Sequence, residues 1–348
     1  MMRKVQLIIV CCTYFFMTQT IDKNCFSHQE WTWVHSQLFN RKMRMVNTHK
    51  KELLFKKENI NPFTQLIFSW NIIRPEKGYF SFYIKVRDAQ TKKWGEWHTI
   101  ADWGENIQKT YLSKSNGLSS FVHVRLELDT QKSADSFLIK IEPHDEAHLG
   151  LLYGLSAAVS HFGLFKAESC DDIKQHLKSV IISNMPTIAQ YTFDHVDKNR
   201  ICSPVSCAMV VQYITGNAVN LSDFIAAIFD EGLSVYGSWQ CNVAQVFDIC
   251  KGKMNCFVRR ANSFIDLYHY LEKQLPVIVS VRGELPGAFK PFPHGHLMVI
   301  VGWSKETGEV ICHDPAAESD DMVIKRYPLE SFLRAWERSH RLMYAVNV

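Results

Sequence analysis

The sequence predicts an α+β protein in which a small β-sandwich precedes a domain of helices followed by an antiparallel sheet. Three observations predict it. Over residues 63–142 apolar and polar residues alternate with period two, as in Phe80, Phe82, Ile84 and Val86 against Ser81, Tyr83 and Lys85. After Asn184 the apolar spacing becomes helical, and from Pro276 it becomes a series of short apolar runs. A length of 348 residues suits about two domains, each with its own core.

Taken in order, residues 1–20 read as an export signal, with a positive start over 1–4 and an uncharged apolar run over 5–17. That run is short for a membrane anchor. Bulky Ile9 and Val10 before Cys11 and Cys12 argue against a lipid-modified cysteine. The mature protein is therefore expected outside the cytoplasm, secreted or in the cell envelope, with no transmembrane segment. Residues 21–60 form a basic, partly helical lead segment. The sandwich occupies 61–146, with strands over 66–70, 80–86, 122–128 and 137–141 and Gly, Asn, Asp and Ser turns between them. Trp94, Trp97 and Trp103 cluster there, as core and turn packing or as an aromatic face for a sugar. Residues 147–184, punctuated by Gly150, Gly154 and Gly163, read as the connection between domains.

The second domain, 185–348, opens with a helix over 203–215 that Gly216-Asn217 should stop. Helical patterns follow over 221–229, 242–250 and 263–274. Strands are expected over 276–281, 296–303, 309–313 and 322–327, and a closing helix over 329–336.

The net charge of +4 is mild and its basic excess gathers in 41–57, so nothing calls for nucleic acid. The ten cysteines, two of them in the leader, are scattered and form no C-x-x-C pair. Cys241, Cys250 and Cys256 are close enough for one bridge in an oxidising compartment, with buried free thiols the equal alternative.

Three motifs carry chemistry. Cys202-Ser203-Pro204-Val205-Ser206 puts a cysteine at the start of an apolar helix, where unpaired N–H groups and the helix dipole favour a thiolate. Pro204 fits the first turn, where its missing N–H costs nothing. Gly295-His296, leading into an apolar run that ends at Gly302-Trp303, sets a histidine at the head of a buried strand. His313-Asp314-Pro315 closes the next strand. If the hairpin turns near Glu306, Asp314 lies opposite Met298, on the face that carries His296. A slip of one residue would send it to the other face.

Residues 185–347 resemble the bacteriocin-processing (double-glycine leader) cysteine peptidases and their secreted papain-fold relatives, on these three motifs and their order. The resemblance implies a papain-like domain that cleaves an amide bond of a peptide or protein through a thioester, with Cys202, His296 and Asp314 as the triad. It also implies an oxyanion-hole glutamine before the cysteine. Gln190 is the candidate, with Asn199 the alternative donor. The β-rich region looks like the accessory domain of some secreted members. No cofactor is implied, and oligomeric state is left open. A metal cluster drawn from His294, His296, Cys312, His313 and Asp314 would leave Cys202 without a role, so no metal is expected, and His294 and His313 are read as loop or supporting residues. Two other functions share these residues: an inactive papain-fold scaffold carrying a carbohydrate- or protein-binding sandwich, and an amidase or acyltransferase.

Overall fold

The structure, a computed structural model, describes residues 30–347; the expected signal and Cys11, Cys12 and Cys25 lie outside them. The N-terminal half contains β1 (Thr32–Leu38), α1 (Arg41–Asn47), β2 (Leu53–Lys57), β3 (Gln65–Ile72), β4 (Tyr79–Asp88), β5 (His98–Gly104), β6 (Gln108–Thr110), β7 (Ser119–Val122), β8 (Arg125–Leu128), β9 (Ala134–His144) and β10 (Leu152–Ser160). These strands form two five-stranded antiparallel sheets, in the orders β1-β10-β3-β8-β7 and β2-β9-β4-β5-β6. Leu66, Phe68, Trp70 and Ile72 of β3 share a core with Phe80, Phe82, Ile84 and Val86 of β4, and Trp70 stacks on Phe82 at 4.2 Å between ring centroids.

Among its described residues the lead segment holds one helix, Arg41–Asn47, with Asn40 accepting from the Met43 N–H, and also the strands β1 and β2. Two expectations need correction. The presumed connection carries β10, which lies between β1 and β3; its small residues Ser156, Ala157 and Ala158 conceal a strand buried throughout except at Tyr153. The run 122–128 is a tight hairpin, because His123 at φ 53° reverses the chain between β7 and β8.

The C-terminal half continues with α2 (Cys170–His176), β11 (Val180–Ile181), α3 (Cys202–Thr215), α4 (Leu221–Ala226), α5 (Trp239–Cys250), β12 (Asn255–Arg260), α6 (Phe264–Glu272), β13 (Val277–Gly283), β14 (Phe292–Ser304), β15 (Glu309–His313), β16 (Ile324–Pro328), α7 (Leu329–Glu337) and β17 (Leu342–Asn347). Its antiparallel sheet runs β12-β17-β13-β14-β15-β16, with β11 paired to β14. The apolar face of α3 is buried from Ser203 to Val211, and Gly216 ends the helix at φ 69° with its N–H bonded to the Gln212 carbonyl. Such a left-handed stop suits glycine. The seven described cysteines are free, so Cys241, Cys250 and Cys256 form no bridge. Among the described residues no helix is long and apolar enough to cross a membrane.

All eight residues of β3 are buried, for a reason its apolar sequence leaves unexplained. One face fills the N-terminal core, while Ile67 joins the core of the C-terminal half. Beside it, the Asn71 side chain exchanges two hydrogen bonds of 2.8 Å with the N–H and carbonyl of Cys256 on β12. The Ser69 hydroxyl accepts from the Val258 N–H at 3.2 Å. β3 is thus the wall between the halves. Asn71→Ala leaves two buried backbone groups unpartnered, and we expect a loss of about 2–4 kcal/mol. A lowered urea midpoint at constant m-value would register it.

Candidate active site

Cys202 is the first residue of α3, and the preceding Ile201 has no side chain able to cap the helix. The first-turn N–H groups therefore stay electropositive beside the sulfur. Two hydroxyls set the position of that helix end. Ser203 Oγ donates to Asn242 Oδ1 of α5 at 2.8 Å, and Ser206 Oγ donates to the Leu297 carbonyl of β14 at 3.1 Å.

His296 reaches the same point from the sheet. Gly295 before it has φ 96°, a conformation that side chains rarely adopt, so an alanine there would be strained by about 1–2 kcal/mol. The Phe292 ring lies flat on the imidazole, 4.1 Å away and 10° from parallel. His296 Nε2 donates to Asp314 Oδ1 at 2.6 Å, and the ring is also hydrogen-bonded to Cys202. Asp314 is fully buried and satisfied from two further sides: the Ala316 N–H donates at 2.9 Å, and the Tyr327 hydroxyl donates to Oδ2 at 2.8 Å.

The hairpin behind this pair contains a compensation. Near the turn Ser304 faces Glu309, Trp303 faces Val310 and Gly302 faces Ile311. Continued unchanged, that register would set Asp314 opposite Val299, on the wrong face. A bulge at Val301 shifts it, so that Ile300 faces Cys312 and Val299 faces His313. Asp314 then follows opposite Met298, on the face of His296.

The charges fit together. Burial alone would lift the Cys202 thiol, but His296 beside it and a hydrogen bond from the Leu297 N–H bring it below the ordinary value. Burial would lower His296, yet the Asp314 carboxylate and the Cys202 sulfur raise it well above the usual imidazole range. Burial would likewise raise Asp314, and His296 with the other donors holds it down. A thiolate–imidazolium pair backed by a carboxylate is the arrangement these shifts favour, and it can attack a carbonyl.

The remaining expected residues fall in different places. Gln190 is buried, its N–H bonded to the Pro315 carbonyl at 2.8 Å and its side-chain amide donating to the Lys198 carbonyl at 2.8 Å. Asn199 lines the cleft with Cys202. His294 is an exposed part of the cleft wall, and buried His313 donates from Nδ1 to the Pro186 carbonyl at 2.8 Å. Among the described residues no three His, Cys, Asp or Glu side chains are grouped to hold a metal. Trp103 belongs to the core, whereas Trp94 and Trp97 are exposed, with the Lys85 ammonium over both rings. Sequence reasoning missed Phe292 and Tyr327. Neither has a local signal, since each meets the triad only through strand register.

Residues 182–344 match the model of the Peptidase_C39 like family, which places this part of the chain among cysteine peptidase-like domains. The match spans α3, β14 and β15, the elements that carry Cys202, His296 and the approach to Asp314. It does not single out the bacteriocin-processing type. No curated protein and no solved structure matches the chain.

Proposed function

We propose that the protein is a thiol-dependent hydrolase that cleaves a peptide or other amide bond, with Cys202 as nucleophile, His296 as acid–base and Asp314 as the group that orients it. The observation that carries this reading is the unbroken chain from Cys202 through His296 to Asp314 and Tyr327. The thiolate of Cys202 attacks the substrate carbonyl carbon. The oxyanion is held by the Cys202 N–H and by the Gln190 amide, which has a second N–H besides the one given to Lys198. His296 gives its proton to the departing amine as the C–N bond breaks and a thioester remains. Water, deprotonated by His296, then releases the acid and restores the thiol. The N-terminal sheets act in this reading as an accessory β-sandwich of an exported enzyme.

The test is cleavage of a mixed peptide pool followed by mass spectrometry. Wild-type protein yields new termini that Cys202→Ala does not. Equal cleavage by Cys202→Ala would remove the nucleophile from the scheme.

A further inference from the structure

Cys202 opens onto a cleft of about 620 Å³ whose walls come from both halves of the molecule. Its charged lining is one-sided: Arg125, Arg200, Arg260, Arg282 and Arg338 against the single carboxylate of Glu127. Arg125 is paired with Glu127 at 2.6 Å, and Arg200 lies 3.5 Å from Asp197. The other three have no ion pair among the described residues. Arg260 is the most unusual of them, being 4% exposed. Its guanidinium donates to Gln65 Oε1 and to the carbonyls of Ser339 and His340, all neutral acceptors. The Glu127 carboxylate acts on it through space but makes no ion pair with it. A buried cation without a direct counter-ion is costly, and a cleft wall is where a ligand can supply one.

The turn that receives Arg260 is itself held in an unfavourable conformation, with His340 at φ 49° and Arg341 at φ 48° in succession. The field of the cluster reaches this turn. Burial lowers His340, and Arg260, Arg125 and Arg282 push it further, to about 4. Burial also lowers Arg260, and repulsion from Arg125 adds to the effect while Glu127 offsets part of it, leaving it at about 9. Arg260, Arg282 and Arg338 line the one cleft onto which Cys202 opens.

We propose that the cleft selects acidic peptides, binding Asp or Glu side chains near the scissile bond through Arg260, Arg282 and Arg338. Guanidinium groups suit this task because their planar donors match a carboxylate. The proposal rests on Cys202 being the nucleophile, and it names the substrate class for that site.

Two reagents that differ in charge separate the claims. Cys202 is alkylated with iodoacetate and with iodoacetamide, in wild-type protein and in the double variant Arg282→Gln, Arg338→Gln, at low and high salt. Both arginines are exposed, and the Arg338 side chain gives only two long hydrogen bonds, to the carbonyls of Arg282 and Glu284. An unchanged thermal midpoint is therefore required of the double variant before its rates are compared. The ratio of iodoacetate to iodoacetamide rates should fall by about tenfold in the double variant and in high salt. A ratio unmoved by either change overturns the proposal. If neither reagent modifies Cys202 faster than a free thiol, the nucleophile assignment fails first and takes the proposal with it. Matched peptides carrying Glu or Gln beside the cleavage site should differ by about 10–100-fold in kcat/KM, in favour of Glu. A preference for Gln overturns the proposal. A glutamate-rich peptide should also protect Cys202 from iodoacetamide; protection by a sulfated oligosaccharide alone would assign the cleft to a glycan instead.

Discussion

Iodoacetamide at pH 6 will label Cys202 about 10–100-fold faster than an ordinary thiol, and His296→Ala will remove that advantage. An unperturbed thiol near 8.5 is only about 0.3% thiolate at that pH. The Cys202 value is lowered, so its thiolate persists as pH falls until the lowered value is crossed. The imidazolium that stabilises it is lost only as pH rises through the raised His296 value of about 10. The rate should therefore be flat between those limits and fall on the acid side. Burial raises Cys170, Cys207, Cys241, Cys250, Cys256 and Cys312, so they should stay silent and give the experiment its internal control. Peptide mapping after timed alkylation reads both quantities. A Cys202 that titrates like a free thiol would sink the ion-pair assignment.

Asp314→Ala should lower kcat by about 10²-fold, with a shift in the pH profile that separates charge from orientation. The substitution leaves the His296 Nε2–H, the Ala316 N–H and the Tyr327 hydroxyl without their buried acceptor. It also removes the carboxylate that raises His296, so the alkaline limb of kcat/KM should move to lower pH. Asp314→Asn keeps an acceptor but no charge. It should recover part of kcat while keeping the displaced limb. Full recovery of both by the asparagine would mean that the charge plays no part.

The chemistry was more legible in the sequence than the architecture around it. Cys202 and Asp314 stand at the ends of elements, a helix start and a strand end. His296, expected at the head of its strand, lies inside β14, which begins four residues earlier at Phe292, and is marked instead by the positive-φ Gly295 before it. Their meeting was less secure. The simple hairpin that predicted it is one residue out of register at the turn, and a bulge restores it further along. Strands buried on both faces were harder to see. In β10 small residues replace the alternation, and in β12 two arginines interrupt it. The cleft arginines carry no motif at all. They come from β8, the loop before α3, β12, β13 and the turn after α7, segments far apart in sequence, and Arg125 joins the other four only because the N-terminal half packs against the C-terminal one.

That packing has a consequence for how such a protein can change over time. The triad is encoded entirely between residues 202 and 314, whereas Gln65, Arg125, Glu127 and Phe162 reach the cleft from a stretch of chain that contains none of it. Mutations in the first half can therefore retune which molecules are accepted while the bond-breaking apparatus is left untouched. The two halves are free to drift under different selective pressures, joined by a seam whose hydrogen bonds neither can abandon alone.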